Sequence, residues 1–291
     1  MTTLIVGCGY LGERLGQRLR RQGERVVGTV RSPDRASAIA ALGIEPVIAD
    51  VLAPESLGRL PEAEHMFYAV GFDRAAGSSM RRVYVDGLRN VLEKLPRTVA
   101  RVVYASSTGV YGQTDGEWVD EASPAVPQHE SGRVCLEAEQ LLRNWAAPTD
   151  RAVTVIVLRF AGLYGPGRMV RRSLLEREEP IPGDPQKFLN LIHIDDAAQA
   201  AVAALEAVRP EPLYVVTDDR PVTRSEYYTR MAELLGTPAP RFAPAAADTP
   251  EAARDATNKR LSNRRIKSGL NLSLIYPDIT TGLPAALQIK S

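Results

Sequence analysis

At 291 residues with 44% hydrophobic content, the chain is long enough to bury a full core, as one large domain or one domain with an appendage. Its 36 lysines and arginines nearly cancel its 35 aspartates and glutamates. The net charge of +1 argues against the long-range attraction on which nucleic-acid and anionic-membrane binders rely. Two cysteines, Cys8 and Cys135, lack metal-ligand spacing and are too few for a disulfide framework, which predicts no metal site and a reducing, cytoplasmic setting. No apolar run approaches the ~20 residues of a membrane span, and no basic segment precedes the short apolar stretch at the N-terminus, so neither a membrane helix nor a secretory leader is expected.

The first predicted element is the apolar strand in "MTTLIVGCGYLG", which runs into glycines at Gly7, Gly9 and Gly12. Beyond them Leu11, Leu15 and Leu19 recur at helical spacing, "RLRRQG" supplies a basic last turn and a stop, and "RVVGTV" reads as a second strand. Strand, glycine turn, helix and strand within thirty residues is the setting in which G-x-G-x-x-G binds a dinucleotide. Gly7 permits the tight turn, Gly9 lets the backbone approach a pyrophosphate, and Gly12 allows close helix packing. Cys8, Tyr10 and Leu11 fill the motif, and the free N–H groups at the helix start favour the anion.

The second strand ends in "TVRSPDR". A carboxylate there would bind the ribose hydroxyls of NAD and repel a 2′-phosphate. Arg31 and Ser32, with Arg35 nearby, instead offer donors to that phosphate, so NADP(H) is the expected cofactor and NAD(H) the alternative.

Further strands are expected at "PVIAD", "MFYAVG", "RVVYASS", "VTVIVLRF" and "LYVV", with helices such as "RRVYVDGLRNVLEKL" and "VCLEAEQLLRNW" between most of them. This alternation predicts an α/β fold with a doubly wound parallel sheet, whose ligands bind beyond the carboxyl ends of the strands. Gly7 to Gly12, Asp50, Ala69 to Gly71 and Ser106 to Ser107 should converge there. The Pro/Ala-rich stretch "GTPAPRFAPAAADTP" at 236–250 reads as a surface loop.

In the order "GCGYLG", Ala49–Asp50, "YASSTGVYG", "LRFAGLYGPGR", "LIHIDDAAQAAVAAL" and "YPDITTGL", the chain resembles the extended short-chain dehydrogenase/reductases. That family includes nucleotide-sugar epimerases, dehydratases and reductases. The resemblance implies a Rossmann domain over 1–160 plus 190–217 and a smaller substrate domain over 161–189 plus 218–291. It would place Asp50 and Val51 at the adenine, Ala69, Val70 and Gly71 along the cofactor, and Phe160 to Leu163, Gly162 included, near the nicotinamide.

The acid–base residues depart from the family. Its Tyr-x-x-x-Lys pair sits on the helix after the fifth strand, where the lysine ammonium lowers the pKa of the tyrosine that exchanges a proton with the substrate. Aligned on "LEAEQ", those positions hold Ser131 and Cys135, and no lysine lies four residues after a tyrosine. Ser107 keeps the family's hydroxyl position and Tyr111 of "VYG" would face the same pocket, so these two are the candidate catalytic residues. Arg133 is a cation on the same helix but off the face of Ser131 and Cys135. Cys135 reads as a small buried hydrophobe, and His193 as the residue that orders the start of the "DDAAQAA" helix.

Arg168, with Arg171 and Arg172 after "YGPG", would sit together at the entrance to the substrate domain and hold an anionic substrate, with Arg168 the candidate contact. The competing reading is a solvated helix face paired with Glu176, Glu178 and Glu179. Two functions stay open: an oxidoreductase or epimerase-like enzyme with altered acid–base residues, acting on a small, anionic or nucleotide-sugar-like molecule, and a dinucleotide-binding regulator or redox sensor without turnover. The expected partner is a small-molecule substrate, with a homodimer left open.

Overall fold

The structure is a computed structural model that describes residues 1–147, 152–246, 249, 252 and 255–288. Seven strands form one parallel sheet: β1 (Thr2–Val6), β2 (Arg25–Val30), β3 (Glu45–Ile48), β4 (His65–Tyr68), β5 (Arg101–Ser107), β6 (Thr154–Phe160) and β7 (Leu213–Val216). Their order across the sheet is β7-β6-β5-β4-β1-β2-β3. The chain winds outward from β1 to β3, then crosses back to place β4 on the other side of β1. The crevice at that reversal is where such sheets hold ligands.

Period-two alternation sends neighbouring residues to opposite faces. Ile5 and Val103 join Leu15, Leu19, Ala197 and Ala201 in one core cluster, under α1 (Tyr10–Arg21) and the later helix Ile194–Glu206. Leu4 and Val102 join Leu88, Val91, Ala138 and Leu142 in the other. Those residues come from α3 (Gly87–Lys94) and α4 (Glu130–Ala146), while α2 (Pro33–Ala40) links β2 to β3. Leu11, Leu15 and Leu19 of α1 are all buried. Burial of each such side chain is worth about 1.5–3 kcal/mol at most. Glu13 in the first turn and Arg18, Arg20 and Arg21 in the last suit the helix dipole.

A third cluster lies off the sheet, where Tyr164, Leu175, Ile181, Tyr227, Met231 and Leu283 pack together. They come from α5 (Arg172–Glu176), α7 (Arg224–Leu235), α9 (Ile279–Leu287) and intervening segments; α6 is Ile194–Glu206 and α8 is Arg264–Gly269. Short strand pairs tie this region together. Gly162–Tyr164 runs beside Leu191–His193, and Trp118–Val119 beside Arg260–Leu261.

The fold class expected from the alternation is the one observed, with local differences. "PVIAD" is a strand only as far as Ile48, and Asp50 lies in the turn beyond it. The helix expected at 81–95 opens as a π-helical turn, Arg82–Asp86, before α3. Within 236–250 the described residues are irregular except for Phe242–Ala243, which pairs with Ile181–Pro182; residues 247, 248 and 250 lie outside the described residues.

Candidate active site

Each of the three glycines after β1 meets a different constraint. Gly7 has φ +86°, and a Cβ there would fall 2.7 Å from the backbone of Val70, so the turn after β1 presses directly on the end of β4. A Cβ on Gly12 would meet the Gly7 carbonyl and the Ile5 side chain at 3.0 Å, which brings α1 down onto β1. At Gly9 a Cβ would meet no described atom within 4 Å. The first helical bond runs from Glu13 N to the Gly9 carbonyl at 2.8 Å, leaving the N–H groups of Tyr10, Leu11 and Gly12 at the free end of the helix. Open space at Gly9 in front of those donors is a cradle that fits a pyrophosphate.

The other residues of the motif serve the core. Cys8 is buried against Gly28, its N–H donates to the Thr29 carbonyl at 2.9 Å, and burial pushes its thiol up to about 12. The Leu11 side chain is buried as well, so it and Cys8 can meet a ligand only through backbone. Tyr10 is half-buried, its hydroxyl donating to the Pro166 carbonyl at 3.2 Å.

At the end of β2, Arg31 is exposed and reaches Asp73 at 3.4 Å. Ser32 caps α2, its Oγ accepting from Arg35 N at 3.4 Å, and Arg35 pairs with Glu13. In the turn after β3, Asp50 Oδ1 accepts from Leu52 N at 2.9 Å, and Val51 is buried with its carbonyl accepting from Asn90 at 2.8 Å. Ala69 and Val70 are half-buried, and Gly71 is exposed at the lip of β4. Phe160 is buried at the end of β6, and Gly162 is exposed two residues on.

Ser107 ends β5 half-exposed, and its Oγ accepts from Gly109 N at 3.1 Å, capping the turn Thr108–Val110. A hydroxyl used as acceptor in this way keeps its own proton for another oxygen. Tyr111 corrects the expectation that it faces the pocket. Its side chain is fully buried, and its hydroxyl accepts from Arg159 Nη1 at 2.9 Å. Burial raises the phenol, and the Arg159 charge only partly offsets this, so Tyr111 has the place and the chemistry of a structural group.

Tyr111 belongs to a buried network that sequence reasoning missed. Arg159 of β6 grips Glu139 of α4 with Nε to Oε1 at 2.9 Å and Nη2 to Oε2 at 2.7 Å. Ser106 donates to Glu139 at 2.6 Å and Arg143 does so at 2.6 Å. Three side chains thus converge, through four bonds, on one carboxylate between α4, β5 and β6. Neither Glu139 in "LEAEQ" nor Arg159 in "VLRF" gives a local signal, because the partners are 20 residues apart and meet only when α4 packs on the sheet.

At the family's acid–base positions, Ser131 is exposed on the first turn of α4. Cys135 is buried, its thiol pushed up to about 11 by burial and then by Glu139. Tyr84, a half-buried phenol from the π-helical turn, is pushed up by burial and then by Cys135, and its hydroxyl accepts from Phe72 N at 3.2 Å. His193 acts as expected, its Nδ1 accepting from Asp195 N at 3.2 Å to cap α6.

The three arginines after "YGPG" do not sit together. Arg171 donates to the Pro182 carbonyl at 2.7 Å, and Arg172 pairs with Glu176 at 2.8 Å, the solvated helix face of the competing reading. Arg168 stands apart from both, its guanidinium 5.5 Å from the ring centroid of Tyr10. It therefore lies beside the first residue of α1. Among the described residues no group of three or more His, Cys, Asp or Glu side chains could hold a metal ion, and no helix is long and apolar enough to cross a membrane.

Residues 3–216 match the model of the NAD dependent epimerase/dehydratase family, most of the chain and all of the sheet. The chain belongs to that family. Protein YeeZ of Escherichia coli (strain K12) is 28% identical over 280 residues, covering 94% of this chain and 96% of that protein. A 3-diazoavenalumate denitrifying reductase of a Streptomyces species is 31% identical over 266 residues, covering 84% of this chain and 85% of that one. Among solved structures, a functionally unknown conserved protein from Silicibacter pomeroyi DSS superposes with a TM-score of 0.79 at 33% identity, covering 99% of this chain and 98% of the other. The chain is thus an extended short-chain dehydrogenase/reductase with a Rossmann-type sheet, of a family whose members use a nicotinamide dinucleotide.

Proposed function

We propose that this member of the family is a dinucleotide-dependent oxidoreductase acting on a small molecule, with acid–base residues other than the usual Tyr–Lys pair. The observation that carries the reading is the cradle: Gly7 is packed so closely that only glycine fits and Gly12 is held tightly against the Gly7 carbonyl and Ile5, while Gly9 faces open space ahead of the free N–H groups of α1. A glycine pattern needed only for a turn would have no use for the vacancy at the middle position. The cofactor-binding set is the backbone of Gly7 to Gly12, with Asp50 and Val51 toward the adenine, Ala69, Val70 and Gly71 along the β4 edge, and Phe160 and Gly162 at the nicotinamide end.

NADP(H) is the preferred form. Arg31 is exposed and held only by a 3.4 Å contact to Asp73, so it can turn to a 2′-phosphate at little cost. Ser32 contributes less than its position suggests, because its Oγ already caps α2. Arg168, over Tyr10, is assigned to the space above the glycine-rich turn, where it meets the cofactor or the anionic end of a substrate lying against it.

A bound nicotinamide supplies or accepts the hydride. Ser107 holds the reacting oxygen, since its Oγ takes a bond from Gly109 and has its proton free to donate. The segments around the third apolar cluster, 161–189 and 218–291, form the substrate side. The related reductase is named for a carboxylate, which favours reduction of a small carboxylic acid derivative over a nucleotide sugar.

The second reading, a regulator that binds dinucleotide without turnover, is favoured by one fact: Ser131, Cys135 and the buried Tyr111 leave no phenol at the family's place. The two separate on the fluorescence of bound NADPH. Its decay on adding a panel of carbonyl and diazo carboxylates supports the enzyme, and tight binding without decay supports the regulator.

A further inference from the structure

Among the described residues two cations, Arg159 and Lys259, are buried, and the fold treats them differently. Arg159 is neutralised by Glu139 through two bonds and donates a third to the Tyr111 hydroxyl. Lys259 is 9% exposed, and its one recorded Nζ bond goes to a neutral group, the Tyr111 carbonyl at 2.9 Å. Among the described residues no carboxylate is recorded against it. A buried ammonium without a counter-ion is costly, and a fold that neutralises Arg159 so completely shows no general tolerance for such charges.

The bond from Lys259 Nζ to the Tyr111 carbonyl brings the ammonium to the turn that Ser107 opens and Tyr111 closes. The start of α4 lies on the same turn: a Cβ on Gly132 would fall 2.3 Å from the Gly109 carbonyl, and a Cβ on Gly112 would meet the Gln128 side chain at 3.0 Å. Between Gln128 and Gly132 stands His129, whose Nε2 is buried and has no hydrogen-bond partner among the described residues. His129 feels the positive charges of Lys259 and Arg133. Two buried nitrogens, one an uncompensated cation and one an unused imidazole nitrogen, therefore flank the turn on which the Ser107 hydroxyl sits.

We propose that Lys259 and His129 form an oxyanion subsite beside the Ser107–Tyr111 turn, which takes the carboxylate or phosphate of the substrate and so fixes its reactive carbon relative to Ser107. The ammonium supplies the charge and the imidazole Nε2–H a directed bond. Together they hold the group from two sides, as one flexible surface lysine does not. The subsite rests on the reading of this turn as the substrate face, yet it requires no dinucleotide to be occupied.

The test is NMR of the full chain, following the imidazole signals of His129, assigned by their loss in His129→Asn. Oxalate, inorganic phosphate and uncharged oxamide are each titrated at pH 7, first without and then with saturating NADPH. A saturable shift of the His129 signals with oxalate or phosphate, and none with oxamide, is expected; the stronger of the two identifies the group as carboxylate or phosphate. Lys259→Met should weaken that binding at least tenfold and leave dinucleotide affinity within twofold of wild type. If the wild-type His129 signals ignore both anions, or if Lys259→Met responds like wild type, the subsite is refuted. Should Lys259→Met not fold, the wild-type titration and Lys259→Arg, expected to retain binding within about fivefold, decide the matter. Loss of NADPH binding with anion binding intact would overturn the dinucleotide reading and leave the subsite standing.

Discussion

Glu139 of α4 and Arg159 of β6 face each other as a two-bond ion pair, at 2.7 and 2.9 Å, with the carboxylate withdrawn from solvent. The pair locks α4, the helix that carries the positions aligned with the family's acid–base pair, to the strand β6. It explains why Tyr111, a family landmark, is turned inward: its hydroxyl accepts the third bond of the same guanidinium.

Removing one partner strands the other charge in the core, so Glu139→Gln should cost about 3–5 kcal/mol in urea denaturation at pH 7. Replacing both with apolar residues, Glu139→Leu with Arg159→Met, should cost clearly less than the sum of the single changes. The pH dependence has a definite sign. Burial alone would raise the Glu139 carboxyl, but its bonds to Arg159, Ser106 and Arg143 hold it below its ordinary value of 4.5. Its contribution is complete above that value and is lost as pH falls through the lower, folded one. The acid limb of the wild-type stability curve should be steeper than that of Glu139→Gln; equal limbs would show that the pair does not set acid stability.

Tyr111 and Ser107 should respond in opposite ways. Tyr111→Phe removes an acceptor from a buried guanidinium and should destabilise by about 1–3 kcal/mol, with turnover changed only a few-fold. Ser107→Ala removes a turn cap worth about 1 kcal/mol but should lower turnover on the order of 10²-fold if its proton polarises the substrate. Steady-state rates alongside thermal melts separate them, and a large rate loss in Tyr111→Phe without loss of stability would restore the phenol to the chemistry.

The sheet was legible wherever apolar β-branched residues run together. Arg101–Ser107 and Leu213–Val216 have the limits that their residues suggest, and the three glycines carry their geometry in their spacing. Periodicity marks a helix at 81–95 but has no signature for the wider turn at Arg82–Asp86. Side-chain direction was illegible too: motif position put Tyr111 at the pocket, but its orientation is set by Arg159, 48 residues away. Lys259 carries no sequence signal, because its significance is its burial without a carboxylate, a property of packing. The arginines of "GRMVRR" were separated by the left-handed Arg171, φ 53°, which breaks the single helical face on which they would have gathered.

The cofactor preference is tested by Arg31→Ala. Loss of a charge-assisted bond to a 2′-phosphate should weaken NADPH by about 1.5–3 kcal/mol and leave NADH almost unchanged. Wild-type protein that binds NADH as tightly as NADPH would return Arg31 to the surface, paired with Asp73.

Neither cysteine is expected to act as a nucleophile. Burial holds Cys8 at about 12 and Cys135 at about 11, so at pH 7 each carries on the order of a hundredfold less thiolate than a free cysteine, or lower still. Alkylation by iodoacetamide should track unfolding in a urea series. Rapid modification of Cys135 in the native protein would place a reactive thiol at the family's lysine position and favour the redox-sensor reading.

The most direct test of the dinucleotide cradle is calorimetric titration of NADPH and NADH into wild type and Gly9→Asp, with melting curves for both proteins. A Cβ at Gly9 meets no described atom within 4 Å, so the variant should melt with wild type, while its carboxylate stands where the pyrophosphate would lie. The account predicts dinucleotide binding by wild type, abolished in the variant at unchanged melting temperature. Equal affinity in the two proteins, or no binding of either dinucleotide by wild type, would contradict it.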